Sequence, residues 1–590
     1  MRLLSRDGVE RGGTPRRGSR VSRRGWVGTR WAGLCLVAVI VTAIQATPAG
    51  AKTGGDAKIS PSLIALAQAK PNDELAVIVR ATSKQSTGRH AERAAAAVIR
   101  AHGKVGRNLS IVGGASASLT GAEVLALAGD PDVEYIVSDD LVTAFFDPTQ
   151  GAAAATSPGI LEVGAPDVWR QLGLTGKGIG VAILDSGIAP HPDLAGRIVA
   201  SVDFTGGTGA RLVPPADPGG HGTHVAGLVA GDGTASGGAY AGVAPGANLL
   251  DVRVIRPSGT TNVSTLIAGM QWVLAHRSDY NIRVVNLSAG APVTVSYRYD
   301  PLAAAVEVLV FAGITVVVSA GNEGPKKSTI TSPGTDPYVI TVGAIDDNAT
   351  PITTDDAIAS WSSRGATRFD GLAKPDVVAP GRQIVSLRSP GSTLDIEQPN
   401  RLVAGLDPLA PAYFRLSGTS MSSAVVSGVV ALMLEARPQL TPAQVKRRVM
   451  GTATPLTYAS TTATGRGLVN AFTAAGPTDV SLTLSMAPVS LWFASEIYQV
   501  LSGQPLVWRD LSSNGGVDSA GTPWTLVSWR NVVWNSITWE NLSWESFNWS
   551  AVSWEDISWE AGISWEDISW ESNTPKDKGR TDDRGGKVLD

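Results

Sequence analysis

A carboxylate, an imidazole and a hydroxyl stand in three short glycine-flanked segments of this 590-residue chain. Asp185 closes the run IGVAIL ahead of Ser186-Gly187, His221 opens HGTHVAG, and Ser420 sits within SGTSMSSA. A serine hydroxyl is a poor nucleophile near neutral pH and needs a base within hydrogen-bond reach. An imidazole, with an ordinary pKa of ~6.5, suits that task, and a carboxylate can hold it in one tautomer. Attack on a carbonyl carbon is the chemistry these three types could perform together. Each segment alone has a plainer reading. A glycine-flanked serine is usually a turn, a histidine at a helix start a cap or packed polar group, and an aspartate after a strand an N-cap. Their joint occurrence between residues 185 and 420, with Ser319-Ala320-Gly321-Asn322 between the histidine and the serine, makes the pattern specific.

The elements needed to position them are legible nearby. Gly178 to Leu184 is glycine-rich and then continuously apolar, which predicts a buried parallel strand delivering Asp185 at its C-terminal end. Ile282 to Ser288 and Ile314 to Ser319 predict two more strands, ending in NLSAG and SAGNEG. HGTHVAG opens a helix whose small residues allow close packing. The segment at Ser420 opens another, running through Val429 and Leu432 until Pro438 stops it. In open α/β sheets functional groups gather at the carboxyl ends of strands. Asp185, Ser288 and Asn322 are therefore expected on one rim, faced by the helix starts that carry His221 and Ser420. No HExxH segment occurs, which excludes a zinc protease of that kind. The single cysteine, Cys35, excludes a disulfide framework, a Cys-based zinc site and a thiol relay.

LDSGI with Asp185, HGTHVAG with His221, AGNEG with Asn322 and SGTSMSSA with Ser420 occur in this order. On these motifs the chain resembles the subtilisin-like serine proteases from about residue 155 to 475. The resemblance implies an α/β fold with a doubly wound, mostly parallel, seven-stranded sheet, and a serine endopeptidase acting on proteins or peptides. It implies an acyl-enzyme on Ser420, with His221 as general base and acid and Asp185 orienting the imidazole. The Asn322 amide and the Ser420 backbone N–H would form the oxyanion hole, aided by the positive end of the helix that starts there. No cofactor is implied for catalysis. Ser288-Ala289-Gly290 and Ser319-Ala320-Gly321 would wall the primary specificity pocket. Their small, uncharged side chains suit a large apolar or aromatic residue before the scissile bond. Asp193 matches the family aspartate that binds a structural calcium, although the loop GDGTASGGAYAG (231–242) lacks the Asn-rich sequence that completes such a site. Ala424 stands where the family usually has proline, a change that a helix interior tolerates. His224 is expected to pack against its own helix and His191 to lie in a loop.

The remaining composition bounds what surrounds the enzyme. The chain is 43% apolar and 17% charged, with a mean hydropathy of +0.08. Lys and Arg total 49 against 52 Asp and Glu, a net charge of −3, with no basic stripe beyond the N-terminus. That balance excludes nucleic acid as an expected partner. Residues 1–51 read as a secretory signal: nine arginines in the first thirty residues, the apolar run Ala32–Ile44, then Ala49-Gly50-Ala51. The run is shorter than the ~18 apolar residues of a membrane span. Ser22-Arg23-Arg24 leaves both the general and the twin-arginine export routes open. Residues 52–150 predict an α+β split βαβ domain, with strands at 73–80, 105–119 around Gly113-Gly114, and 133–138, and helices at 88–101 and 122–128. Given the resemblance, this unit is expected to be an inhibitory propeptide acting in cis, removed by a cut between Phe146 and Pro158.

Residues 476–522 read as a linker and 523–571 as a tryptophan repeat. Ten tryptophans lie between Trp524 and Trp570, most of them five residues apart. A five-residue step winds around every face of a helix, so the repeat predicts short stacked strands. A cell surface or wall is its expected partner. A different class of reading makes this repeat the main element of a surface-binding or adhesion protein. Residues 572–590 are charged and nearly free of large apolar groups, which predicts disorder. The expected location is secreted, extracellular or associated with the cell surface.

Overall fold

The computed structural model describes residues 58–82, 90–146 and 159–480, together with 482, 484, 487, 489 and 490. The leader, the tryptophan repeat and the charged tail lie outside the described residues, as do 147–158. Everything below concerns the unit that begins at Ala57.

Its first part is built from α1 (Pro61–Ala69), β1 (Glu74–Ala81), α2 (His90–Arg100), β2 (Lys104–Leu109), β3 (Gly114–Thr120), α3 (Gly121–Leu127) and β4 (Val133–Ser138). The strands form an antiparallel sheet in the order β2-β3-β1-β4. Ala91, Ala94, Ala97 and Val98 recur at helical spacing and make the buried face of α2. Thr120 and Glu123 form a reciprocal capping box that starts α3. The helix α1 adds to the expected set of elements, and Pro61 at its first turn is the local signal for it. β5 (Leu141–Ala144) then leaves this sheet and joins another.

The larger part is organised by strands with no polar alternation, as burial on both faces requires. Seven parallel strands run in the order β7 (Ile198–Asp203), β9 (Asn248–Arg253), β6 (Gly180–Asp185), β11 (Ile282–Leu287), β13 (Thr315–Ser319), β14 (Ile340–Asp346), β16 (Val377–Pro380). The two-residue strands β8 (Arg211–Leu212) and β15 (Ala357–Ile358) pair antiparallel with β7 and β14. β10 (Thr260–Asn262) and β12 (Ala289–Gly290) flank β5, and β17 (Ile384–Leu387), β18 (Leu402–Val403) and β19 (Tyr413–Leu416) form a small antiparallel sheet.

The period of two along β6 divides the core. Val181 and Ile183 face the layer of α4 (His221–Ala230) and α7 (Thr419–Ala436). Ala182 and Leu184 face the layer of α5 (Val263–Ala275) and α6 (Pro301–Phe311). Each such Val, Ile or Leu is fully buried and contributes ~1.5–3 kcal/mol of transfer free energy. Ile78 and Leu109 of the first sheet, and Ile111 and Val112 of the turn between β2 and β3, join the α5–α6 layer. The Arg107 guanidinium fastens the two parts polar-wise, donating to the carbonyls of Phe204 (2.6 Å), Thr208 (3.0 Å) and Gly207.

Candidate active site

Asp185 ends β6 and is wholly buried, and its Oδ1 accepts the Nδ1–H of His221 at 2.8 Å and the Ser186 N–H at 2.7 Å. His221 is the first residue of α4, which follows Gly220 at φ 95°, in the left-handed region that favours glycine. Gly222 allows the close approach of helix and strand: a Cβ there would stand 2.2 Å from the Gly187 carbonyl and 3.0 Å from the Asp185 Cβ. The hydrogen bond at Nδ1 leaves His221 Nε2 as the acceptor, and that atom is buried without a partner among the described residues. Burial opposes charging of the imidazole, but the Asp185 carboxylate, its hydrogen bond and the nearby Asp217 outweigh it. His221 is held above its ordinary pKa.

Ser420, on the first turn of α7, directs its hydroxyl to the Ser288 carbonyl at 3.0 Å. Asn322 lies beside it with its orientation fixed: Oδ1 accepts the Thr419 backbone N–H (3.1 Å) and hydroxyl (3.0 Å). Its Nδ2 is thereby presented as a buried donor, unpartnered among the described residues. Behind the serine runs a buried polar chain. Ser427 donates to Asn286 (2.9 Å), Asn286 donates to the Ser288 hydroxyl (2.8 Å), and Ser288 and Ser423 both reach the Ser420 carbonyl (3.2 and 2.9 Å). The Ser288 side chain thus faces α7. Ser319 similarly turns its hydroxyl toward the Leu287 carbonyl, 3.5 Å away. Among Ser288-Ala289-Gly290 and Ser319-Ala320-Gly321, it is backbone and the absence of bulk that shape the adjoining space.

That space holds part of the chain itself. Thr143 of β5 lies opposite Thr260 and Gly290, and Ala144 opposite Ala289, so β5 runs antiparallel between β10 and β12. Ala144 N–H donates to Gly259 O at 3.0 Å and Phe145 N–H to Ser288 O at 3.3 Å. The Phe145 ring sits against Gly290, where a Cβ would come within 2.9 Å of it. Its carbonyl oxygen would lie 2.2 Å from a Cβ on Gly418, two residues before Ser420. The Phe146 ring stands 6.0 Å from the His221 imidazole. Phe145 and Phe146 thus lie between Gly418 and the His221 imidazole.

Of His191 and His224, the first lies in a loop as expected and the second differs in detail from its expected surroundings. His224 does not bond within its own helix; its Nε2 lies 3.1 Å from the carbonyls of both Ile384 and Phe414, in β17 and β19. Burial lowers its pKa to about 3, so it is a neutral packed donor. His191 precedes a short turn, where its Nδ1 accepts the Asp193 N–H at 3.1 Å and its Nε2–H donates to Ala412 O at 3.0 Å.

Asp217 is a residue that sequence reading passed over. It is buried, and its Oδ1 accepts from Ser186 Oγ and from the N–H groups of Gly219 and Gly220, at 2.8–3.0 Å. Its Oδ2 accepts from the N–H and hydroxyl of Thr223, both at 2.8 Å. One carboxylate thus ties the end of β6 to the first turn of α4, and with it Asp185 to His221. The only local signal was an aspartate four residues before the histidine, in a Pro-Gly-Gly turn.

Comparison with known proteins agrees with this geometry. The model of the subtilase family matches residues 176–475. Serine protease AprX of Bacillus subtilis (strain 168) is 45% identical over 281 residues, covering 46% of this chain and 60% of AprX. Subtilisin E of the same organism is 34% identical over 376 residues, covering 63% of this chain and 83% of subtilisin E. Among solved structures, fervidolysin from Fervidobacterium pennivorans, a keratinolytic enzyme related to subtilisin, shares the fold with a TM-score of 0.52 at 24% identity, covering 69% of this chain and 62% of that one. The chain thus spans less than two thirds of AprX and of fervidolysin. The chain belongs to the subtilase family, the subtilisin-like serine proteases.

Proposed function

We propose that this protein is a secreted serine endopeptidase made as a self-inhibited precursor. The observation that carries the reading is the 2.8 Å His221–Asp185 hydrogen bond beside Ser420 and Asn322, with a peptide segment seated across them. Ser420 Oγ attacks the carbonyl carbon of the scissile bond while His221 Nε2 takes its proton; this requires the serine to leave its bond to Ser288 O and turn toward the imidazole. Asp185 keeps Nδ1 protonated and stabilises the imidazolium. The Ser420 N–H and Asn322 Nδ2–H donate to the developing oxyanion. His221 then protonates the departing amine, and a water attacking the acyl-enzyme by the reverse proton route releases the acid. No metal or cofactor enters these steps.

Residues 52 to Phe145 act in this reading as the inhibitor. Phe145 fills the primary pocket and Val142, fully buried, lies three residues before it. The pocket accordingly prefers a large aromatic or apolar residue before the cut. N-terminal sequencing of the matured protein should start at Phe146, and Phe145→Asp, which buries a charge in an uncharged pocket, should slow maturation at least tenfold. A mature start within 147–158, with Phe145→Asp processed at the normal rate, would overturn this assignment. Export rests on the leader, and attachment to a surface on the tryptophan repeat, which we treat as an adjunct to the protease.

A pH dependence follows from the raised pKa of His221. The base must be neutral to accept a proton, so kcat/KM should fall as pH drops through a value above the ordinary ~6.5. Release of the segment that ends at Phe145 relieves burial, the one effect that lowers this pKa, so the mature enzyme should keep the limb high. A pH profile on a small peptide substrate with an acid limb centred below 6.5 would contradict the arrangement.

A further inference from the structure

The family resemblance implies a structural calcium at Asp193 and the loop 231–242. The donor set of this chain does not fit one. Asp193 is wholly buried, and both its carboxylate oxygens are already bonded to hydrogens of the protein. Oδ1 accepts the Ala235 N–H and Oδ2 the Tyr413 hydroxyl, each at 2.7 Å. Calcium takes six to eight oxygen ligands, roughly 2.3–2.6 Å away, and to bind it these oxygens would have to turn from, or share, the protein hydrogens they already accept. The neighbouring carbonyls are committed as well. The Arg197 guanidinium donates to the carbonyl oxygens of Asp193 and Ala230 and lies 3.6 Å from the Asp232 carboxylate. Within the loop, the Gly233 carbonyl accepts the N–H groups of Ser236 and Gly238, both at 2.9 Å, and the Gly231 carbonyl accepts Gly242 N–H at 2.7 Å.

We infer that in this chain a guanidinium and a phenol replace the cation: Arg197 and Tyr413 hold the Asp193 loop, and the site takes no calcium. Arg197 supplies the positive charge between Asp193 and Asp232 and binds the carbonyls of Asp193 and of Ala230, the last residue of α4. Tyr413 supplies a donor from β19, so it staples the Asp193 turn to the small antiparallel sheet. Its ring is fixed by Tyr240 (centroids 4.8 Å apart) and His191 (5.8 Å), and it is fully buried. Tyr413 belongs to the segment between β17 and α7, and its partner Asp193 lies 220 residues earlier. The replacement is therefore a joint property of two distant segments.

The test reads stability and binding, so its outcome is separable from that of the protease reading. The full-length Ser420→Ala chain, chosen to prevent autolysis, is unfolded thermally in excess EDTA and in millimolar calcium chloride, and titrated with calcium by calorimetry. The expected result is one midpoint in both media, within about 1 °C, and no calcium binding that Asp193→Asn removes. Tyr413→Phe and Arg197→Met should each lower the midpoint by a few degrees in either medium, since each breaks hydrogen bonds to buried groups, and calcium should not restore it. Stoichiometric calcium binding abolished by Asp193→Asn, with a midpoint several degrees lower in EDTA, would overturn the inference. Should either clasp variant fail to accumulate, the comparison of Ser420→Ala with and without chelator still decides.

Discussion

Ser420→Ala is expected to leave a folded chain that turns over no protein substrate and stays in one piece. The loss should approach 10⁶-fold, about the scale known for removal of the nucleophile in enzymes of this type. The structural cost is small by comparison. The hydroxyl makes one hydrogen bond, to Ser288 O, worth about 1 kcal/mol, and alanine is a good helix residue at the start of α7. The buried chain through Ser427, Asn286, Ser288 and Ser423 ends on the Ser420 backbone carbonyl, which the substitution keeps. Circular dichroism and thermal unfolding should thus resemble the parent while casein hydrolysis and labelling by a fluorophosphonate vanish. Because the segment carrying Phe145 is seated at the same serine, the intact mass should also remain that of the uncut precursor. Casein turnover within a hundredfold of wild type would remove Ser420 from the role of nucleophile. Normal maturation in a host without other proteases would remove self-processing alone.

The parts of this picture written in the sequence are those with a local cause. β6 announces itself because a strand covered on both faces must be apolar without interruption, and Asp185 breaks that run where the strand ends. The starts of α4 and α7 are marked by small residues that close packing demands. What stayed hidden depends on partners far along the chain. β5 is four residues long, and its pairing with β10 and β12 has no signature in Leu141–Ala144. The seat of Phe145 against Gly290 likewise has no local signal. His224 finds its acceptors in β17 and β19 rather than on α4, and Tyr413 meets Asp193 across the loop 231–242. Asp217 carries no signal of its role, because nothing local shows that five donors converge on it. Residue types carry the chemistry expected of the site; the long-range pairings set β5 beside it and tie Asp185 to His221 through Asp217.

Asp185→Asn should cost about 10⁴ in turnover, the loss that accompanies conversion of a triad carboxylate to its amide, with little change in fold. The side chain keeps its shape, but the Oδ1 position faces both the Ser186 N–H and His221 Nδ1, so the amide can present only its oxygen or its NH2 to the two of them. In the orientation that turns the amide NH2 to this position, it gives up the Ser186 bond and donates to His221 Nδ1. The imidazole then carries its proton on Nε2, the atom that must receive the serine proton, and the base is disabled without being moved. Asn322→Ala acts differently, removing a donor that strengthens only as negative charge develops; its expected cost is about 10²–10³. The pH profile separates the two roles. Asp185 is the larger of the charges that raise the His221 pKa, so Asp185→Asn should shift the acid limb of the residual activity downward. Asn322→Ala should lower the whole profile and leave that limb in place, since Asn322 anchors to Thr419 and does not contribute to the shift. Measurement of kcat/KM against pH for both variants on one peptide checks the scheme. Equal losses with unmoved limbs would mean that Asp185 contributes nothing beyond packing to the base at His221.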